Sequence, residues 1–370
     1  MNQLKDKNAC WIPWMRRALQ LASLAEGNVS PNPLVGAVVI NKEGVLVGEG
    51  FHSQAGKAHA EINALSQARE KAKDGILIIT LEPCCHYGRT PPCTEAIISA
   101  GISKVIVALK DPDSRVSGKG LLRLKDAGIE VIYGVLEKEA AYQNRDFIFR
   151  VTNGRSLGVL KWAMSLDGRI ALPNGASKWI SSSESRNWVH KLRSQCDAVI
   201  VGGQTIRTDN PLLTSRGLSD PEPFRVVLSK SCDFSRDSII WNTELAKTFL
   251  AYGPDSEDIA RKLNLPKGVE KLPLDTSSPT ALLETLAKKG CNRVLWECGS
   301  SLATEALKEG CVQELAVIIA PRLLGGDSSN TPLGNFGFAS IDEAFLLGKM
   351  IPQSIDKDLL IRIPFSSNKF

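Results

Sequence analysis

No stretch of the 370 residues approaches the apolar length needed to span a bilayer. The opening segment, MNQLKDKNACWIPWMRRALQLAS, lacks an uninterrupted apolar core, and Arg16 and Arg17 fall inside its apolar periodicity. It reads as an amphipathic helix and not as a signal peptide. A disulfide framework is missing too. Nine cysteines make an odd number, most are isolated, and only one cluster exists, whereas secreted scaffolds carry an even count in a short chain. Lys/Arg-rich runs are absent: 45 basic against 40 acidic side chains leave a thinly spread +5. That excess is a weak case for nucleic acid and is compatible with an anionic small molecule. The chain shows no internal repeat, no low-complexity segment and no G-x-G-x-x-G fingerprint. The expectation is a soluble, reduced, cytoplasmic protein.

Hydrophobic residues make up 43%, ample for buried cores, and the length favours two domains. Trp11, Trp14, Met15, Ala18, Leu21, Ala22 and Ala25 recur at helical spacing. LVGAVVI and VLVGEGF flank NKEG, which reads as a β-hairpin. Helix AHAEINALSQAREKA and strand GILIITLEP follow, then helix CTEAIISAG, strand KVIVALKDP, helix GLLRLKDAG and strand EVIYGVL. This order predicts a mostly parallel, helix-covered sheet. A helical connector, EKEAAYQNRDFIFRVTNGR, places a boundary near Asn153-Gly154, giving domains 1–154 and 155–370. Beyond it, apolar strands at DAVIVGG, FRVVLSK, TFLAYG, RVLWECG, ELAVIIAP and DLLIRIPF alternate with helices, which predicts a second α/β domain.

The cysteine cluster lies in LEPCCHYGRTPPC, residues 81 to 93. His59 and Glu61, in HAE at the start of a predicted helix, are surface or capping residues when read alone. With the cysteines present, one His and two thiolates make a three-ligand site with an open fourth position, the pattern of catalytic zinc. A closed structural site would need His86 or Cys85 as a fourth ligand. Cys84 follows Pro83 at a strand end, and Cys93 begins a helix, where the free N–H groups favour a thiolate. Cys85 points elsewhere on an extended segment and is assigned a packing role.

HAE followed by PC…C resembles the zinc-dependent cytidine-deaminase superfamily, whose compact form is H-x-E and P-C-x-x-C. Here eight residues separate Cys84 from Cys93. That longer loop, with SPNPLVGAVVI upstream, is similar to the deaminase half of the bifunctional riboflavin-biosynthesis deaminase/reductase family. The resemblance implies a cytidine-deaminase-like three-layer αβα fold. It also implies one Zn2+ held by His59, Cys84 and Cys93, with Glu61 as the catalytic proton carrier in hydrolytic deamination. Asn32, in PNPLVG, becomes a substrate contact by the same analogy.

The second half offers two loops after apolar strands. VIVGGQTIRTDNPLLTSR brings Gly202 and Gly203 with Thr205, Asp209 and Arg216; ECGSSLATEAL sets Gly299 and two serines at a helix start, a natural phosphate cradle. Each alone reads as a plain turn with a capped helix. These segments, with LKWAMSLDGRIA, SKWIS and APRLLGG, resemble the reductase half of the same family, with a fold similar to dihydrofolate reductase. The resemblance implies NADPH bound by Ala163, Trp179, Thr205, Asp209, Ser229 and Gly299, Ser300, Ser301, Leu302, Ala303, Thr304 and Glu305. It implies substrate contacts from Ser177, Arg193, Leu213, Arg216 and Glu297. Arg193 and Arg216 suit a bidentate grip on a sugar phosphate. Lys161 and Asp167 either orient substrate or tighten a turn. The expected partner is a phosphoribosyl pyrimidine, acted on by a homo-oligomer. The alternative is a nucleoside or tRNA deaminase with a non-catalytic C-terminal binding domain, which would call for a basic groove and stacking aromatics. CHYGRTPP offers only Tyr87 and Arg89 toward that.

Overall fold

The computed structural model describes residues 9–87, 91–113, 117–235, 237–326 and 330–365. The chain divides into two compact units, Met1–Asn153 and Gly154–Phe370.

In the first unit, α1 (Ile12–Ser23) buries Met15, Ala18, Leu21 and Ala22, the stripe its periodicity predicts. Strands β1 (Gly36–Ile40) and β2 (Leu46–Phe51) form the expected hairpin. Then follow α2 (Ala60–Ala68), β3 (Ile76–Leu81), α3 (Cys93–Ser99), β4 (Lys104–Leu109), α4 (Lys119–Asp126), β5 (Glu130–Tyr133), α5 (Glu137–Gln143) and α6 (Arg145–Asn153). The sheet order is β2-β1-β3-β4-β5. Only the β3–β4 and β4–β5 ladders are parallel; β1 pairs antiparallel with both β2 and β3. The sheet is therefore mixed rather than mostly parallel, because α2 carries the chain over β1 and sets β3 on its far side.

Side chains alternate across this sheet. Val39, Ile79 and Val107 pack with Ala64 of α2, Ile97 of α3 and Leu124 of α4 on one face. Val38, Ile78 and Ile106 meet Met15 and Ala18 of α1 and Ala140 of α5 on the other. The result is three layers. Gly50 on β2 lets α2 pack close: a Cβ there would sit 2.4 Å from the Ala60 carbonyl oxygen.

Among the described residues, the second unit holds nine strands in the order β10-β9-β8-β7-β11-β6-β12-β14-β13. They are β6 (Leu157–Ser165), β7 (Ala198–Gly202), β8 (Phe224–Leu228), β9 (Thr248–Tyr252), β10 (Glu270–Pro273), β11 (Arg293–Trp296), β12 (Glu314–Ala320), β13 (Ile351–Ile355) and β14 (Asp358–Pro364). All pair in parallel except the β12–β14 and β14–β13 ladders. The helices are α7 (Ser183–Ser194), α8 (Gly203–Asp209), α9 (Glu257–Lys262), α10 (Pro279–Lys288) and α11 (Ser300–Lys308). Leu282 and Leu286 of α10 and Ala303 and Leu307 of α11 share one core with Ile200, Val226 and Trp296 of the sheet. Val189 of α7 packs with Ile318 and Leu360 in a separate cluster. Helices α8 and α9 and edge strands β10 and β13 have no counterpart in the sequence reading. They are short, polar or proline-bearing, so no apolar period marks them.

Candidate active sites

In the first unit, three elements converge on one point. His59 is the N-cap residue of α2, with extended backbone (φ −71°, ψ 162°) and no side-chain cap bond, so its ring is not engaged by its own helix. Glu61 lies in the first turn of α2 and is buried. Cys84 follows β3, and Cys93 is the first residue of α3, buried. The His59 Nδ1 is 3.2 Å from the Cys93 Sγ and 3.8 Å from the Cys84 Sγ. The Cys93 N–H donates to the Cys84 Sγ at 3.3 Å, so the free amide at the α3 start already favours a thiolate there.

All three ligand atoms lie within 4.8 Å of one another. Tetrahedral zinc with ordinary Zn–N and Zn–S bonds sets its ligands ~3.5–3.8 Å apart. One imidazole nitrogen and two thiols at this spacing fit that ion. Without a metal, the two thiols share a proton: hydrogen bonding to Cys93, aided by His59, pulls Cys84 down to about 4, while the same bond and burial push Cys93 up. Burial lifts the Glu61 carboxyl to about 7, into the range where a side chain accepts and returns protons near neutral pH. Cys85 is not in the ligand group; it is half-buried, and burial raises its thiol. Gly88, Arg89 and Thr90 lie outside the described residues.

Two contributors escaped the sequence reading. His52 is buried between Asn32, whose Nδ2 lies 3.0 Å from its Nε2, and the Ala58 carbonyl, 3.1 Å from its Nδ1. An amide nitrogen donates and a carbonyl accepts, so His52 carries its proton on Nδ1 and is neutral. It stands edge-on to the His59 ring at 5.4 Å, which brings Asn32 to the border of the metal site. Glu82, also buried, accepts N–H bonds from Asp111, Gly118, Gly120 and Leu121, tying the end of β3 to the start of α4. Both are ordinary residues in sequence, with no motif to mark them.

In the second unit, a cleft of about 370 Å³ opens at the C-terminal ends of β7 and β8 and beside the start of α11. It brings together Thr205, Ser229, Gly299, Ser300, Ser301, Leu302 and Glu305 with Gly202 and Gly203. Arg207, Lys230 and Ser231 stand on the same lining. The segment read as a loop through Thr205 and Asp209 is helix α8; its first residue follows β7 directly. Ala303 and Thr304 do not turn into the cleft. Ala303 is in the core, and the Thr304 hydroxyl donates to the Ser300 carbonyl at 2.7 Å and accepts from the Gly334 N–H at 2.8 Å. Asp209 ends α8, and its carbonyl accepts from Lys178 Nζ at 3.0 Å, beside the loop of Ser177 and Trp179. Trp179 is exposed and stacks under the Arg186 guanidinium, 4.6 Å away. Ala163 lies on β6 against the Val189 cluster.

The proposed substrate arginines differ sharply. Arg193 on α7 is mostly buried and forms a bidentate pair with Glu297, at 2.6 and 3.0 Å, and donates to the Thr214 carbonyl at 2.9 Å. Its fork is therefore engaged by Glu297 and by the Thr214 carbonyl. Burial works against the Glu297 charge, but Arg193 and Lys161 outweigh it and hold the carboxyl at about 2. Lys161, on β6, is lowered by its own burial. Asp167 is the turn residue: Ser165 and the Leu324 and Gly325 amides all bond to it. Leu213 is buried with φ +58°. Arg216 is exposed, with φ +64°, and has no hydrogen-bond or ion-pair partner among the described residues.

Residues 11–109 match the family described as the cytidine and deoxycytidylate deaminase zinc-binding region, and residues 157–358 match the RibD C-terminal domain. The riboflavin biosynthesis protein RibD of a Synechocystis strain is 47% identical over 94% of both chains. That of Aquifex aeolicus is 43% identical, covering 96% of this chain and 97% of its own. Among solved structures, Acinetobacter baumannii RibD superposes with a TM-score of 0.86 at 37% identity, covering 96% of this chain and 98% of the other. A Thermotoga maritima diaminohydroxyphosphoribosylaminopyrimidine deaminase/5-amino-6-(5-phosphoribosylamino)uracil reductase gives 0.84 at 34% identity, covering 96% and 99%.

Proposed function

The chain belongs to the bifunctional riboflavin-biosynthesis deaminase/reductase family, and from that premise we propose how its two sites divide the reaction. It is a zinc-dependent aminohydrolase and an NADPH-dependent reductase in one polypeptide. The first step converts 2,5-diamino-6-(5-phosphoribosylamino)pyrimidin-4-one to its uracil; the second yields 5-amino-6-(5-phosphoribitylamino)uracil. The observation that carries this reading is the convergence of His59, Cys84 and Cys93 beside buried Glu61.

His59, Cys84 and Cys93 hold the zinc. The ion, when bound, supplies a water acidified toward neutral pH. Glu61 would take a proton from the attacking water as the water oxygen joins the ring carbon bearing the amine. It then returns protons to the ring nitrogen and the amine, so that ammonia departs and a carbonyl remains. Asn32, held by His52, orients the pyrimidine.

In the second unit, Gly299, Ser300, Ser301 and Leu302 receive the NADPH pyrophosphate at the open start of α11, where unpaired amides favour an anion. Thr205 and Ser229 flank it, and Glu305 borders it. Lys230, Ser231 and Arg207 are assigned to the 2′-phosphate, which favours NADPH over NADH. Asp209 and Trp179 border the nicotinamide end. The cofactor supplies a hydride to the sugar carbon that carries the amine. The bond from that carbon to the ring oxygen opens, and the oxygen takes a proton, for which we assign buried Lys161. Arg216 holds the phosphate. Ser177 and Leu213 shape its pocket, and Arg193 acts indirectly by holding Glu297. Nine cysteines without a disulfide among them support a cytoplasmic setting, and the exposed edge of β13 supports a homo-oligomer.

The test supplies the phosphoribosyl diaminopyrimidine and follows ammonia release and NADPH oxidation together. A zinc chelator should stop both, and pre-formed deaminated substrate should restore NADPH oxidation alone. Cys85→Ser should keep about one zinc per chain, and Cys93→Ser should lose it. Zinc loss from both variants, or from neither, would sink this ligand set.

A further inference from the structure

Residue 216 is held in a backbone conformation that side chains other than Gly, Asn and Asp avoid, with φ +64°. Such a conformation persists only where its surroundings impose it. The imposing group is Glu222. One of its carboxylate oxygens accepts the Ser215 N–H at 2.6 Å, and the other accepts the Gly217 N–H at 2.8 Å. These two amides flank Arg216 on either side. Upstream, the Leu212 carbonyl accepts from buried Arg225 at 3.2 Å, and the Thr214 carbonyl accepts from Arg193 at 2.9 Å. The loop is thus gripped on both sides of Arg216, while the Arg216 side chain has no bonding partner among the described residues. Burial first, and then the charges of Arg193 and Arg216, lower the pKa of His190, whose ring sits 3.3 Å from the Arg193 fork. A guanidinium with no bonding partner among the described residues is therefore carried on the loop that Arg193 itself holds at Thr214.

We propose that Glu222 is a positioning residue for the reduction, clamping the amides around Arg216 so that its guanidinium is pre-set for the sugar phosphate. The proposal rests on the reading that Arg216 binds that phosphate. A guanidinium held in place gains more from a bidentate contact than one that must first be ordered. A Glu222 that served only the stability of the loop would not act through Arg216, and that difference can be measured.

The experiment uses the full chain, NADPH and pre-formed 5-amino-6-(5-phosphoribosylamino)uracil, with Glu222→Gln, Glu222→Asp, Arg216→Ala and the double variant Glu222→Gln/Arg216→Ala. The amide of Glu222→Gln can accept only one of the two N–H bonds. Its KM for the phosphorylated substrate should rise about tenfold with kcat within about twofold, an effect the size of one charge-assisted contact. The KM for NADPH and the rate of ammonia release should not move. Glu222→Asp, which keeps both oxygens, should recover part of the loss. The double variant should match Arg216→Ala within about twofold, because Glu222 acts only through that side chain. Losses that multiply in the double variant, or an unchanged KM in Glu222→Gln, would overturn the clamp. An Arg216→Ala variant with normal KM would instead overturn the phosphate assignment beneath it.

Discussion

Glu297 is a carboxylate in a place where burial pushes toward the neutral form. Arg193, bonded to both its oxygens, and nearby Lys161 reverse that outcome and hold it ionised down to about 2. The folded state therefore binds fewer protons than the unfolded chain between the ordinary glutamate pKa of 4.5 and 2. The resulting stability is present above pH 4.5 and is lost as the pH falls through 2, on the order of 3 kcal/mol. Glu297→Gln should thus be less stable than the parent at pH 7, since it leaves Arg193 buried without its counter-charge. The gap should narrow at pH 3, read as denaturant midpoints at both pH values. A gap of constant size would mean that the carboxylate charge is not what stabilises the pair. The two residues stand 104 positions apart, and nothing in either neighbourhood announces the other. His59, Glu61, Cys84 and Cys93 were legible because their chemistry is unusual enough to be read from type and order; Arg193 and Glu297 are common residues whose roles depend on meeting.

Elements place these side chains through their packing. Helix α2 delivers both His59 and Glu61, and it lies against β2 at Gly50. A methyl group there would fall 2.4 Å from the Ala60 carbonyl oxygen and 2.5 Å from the Ala64 nitrogen, both backbone atoms that cannot rotate aside. Gly50→Ala should cost about 2–3 kcal/mol by overpacking. Because the displaced turn positions His59 of the candidate metal group, zinc stoichiometry should fall along with the melting temperature. A variant that melts normally and keeps its zinc would show that α2 is not seated on this glycine. Helix α8 marks the limit of reading elements from sequence. GQTIRTD is seven residues long, has one buried apolar side chain, Ile206, and starts on glycine. Its helicity comes from its place between β7 and the cleft, since isolated helices of that length are not stable.

At the scale of the whole molecule, the two catalytic centres lie in separate compact units, each with its own sheet and core. Their activities should be separable by single substitutions. Glu61→Ala should keep zinc and abolish ammonia release, yet oxidise NADPH at the normal rate on pre-formed deaminated substrate. Arg216→Ala should release ammonia normally and impair NADPH oxidation. Coupled loss of both rates in either variant would argue against independent sites. By itself the amino-acid sequence determined the two α/β units, the grouping of His59, Cys84 and Cys93 with Glu61, and most of the glycine- and serine-lined cleft. Those features are written locally, in apolar periods, in glycines after strands, and in residue types rare enough to identify a chemistry. Only the tertiary structure decided that β1 lies between β2 and β3, that Asn32 meets His52, and that Arg193 is committed to Glu297 while Arg216 has no partner among the described residues. Each of these is a contact between segments distant in the chain, chosen by packing and charge pairing that no local pattern encodes.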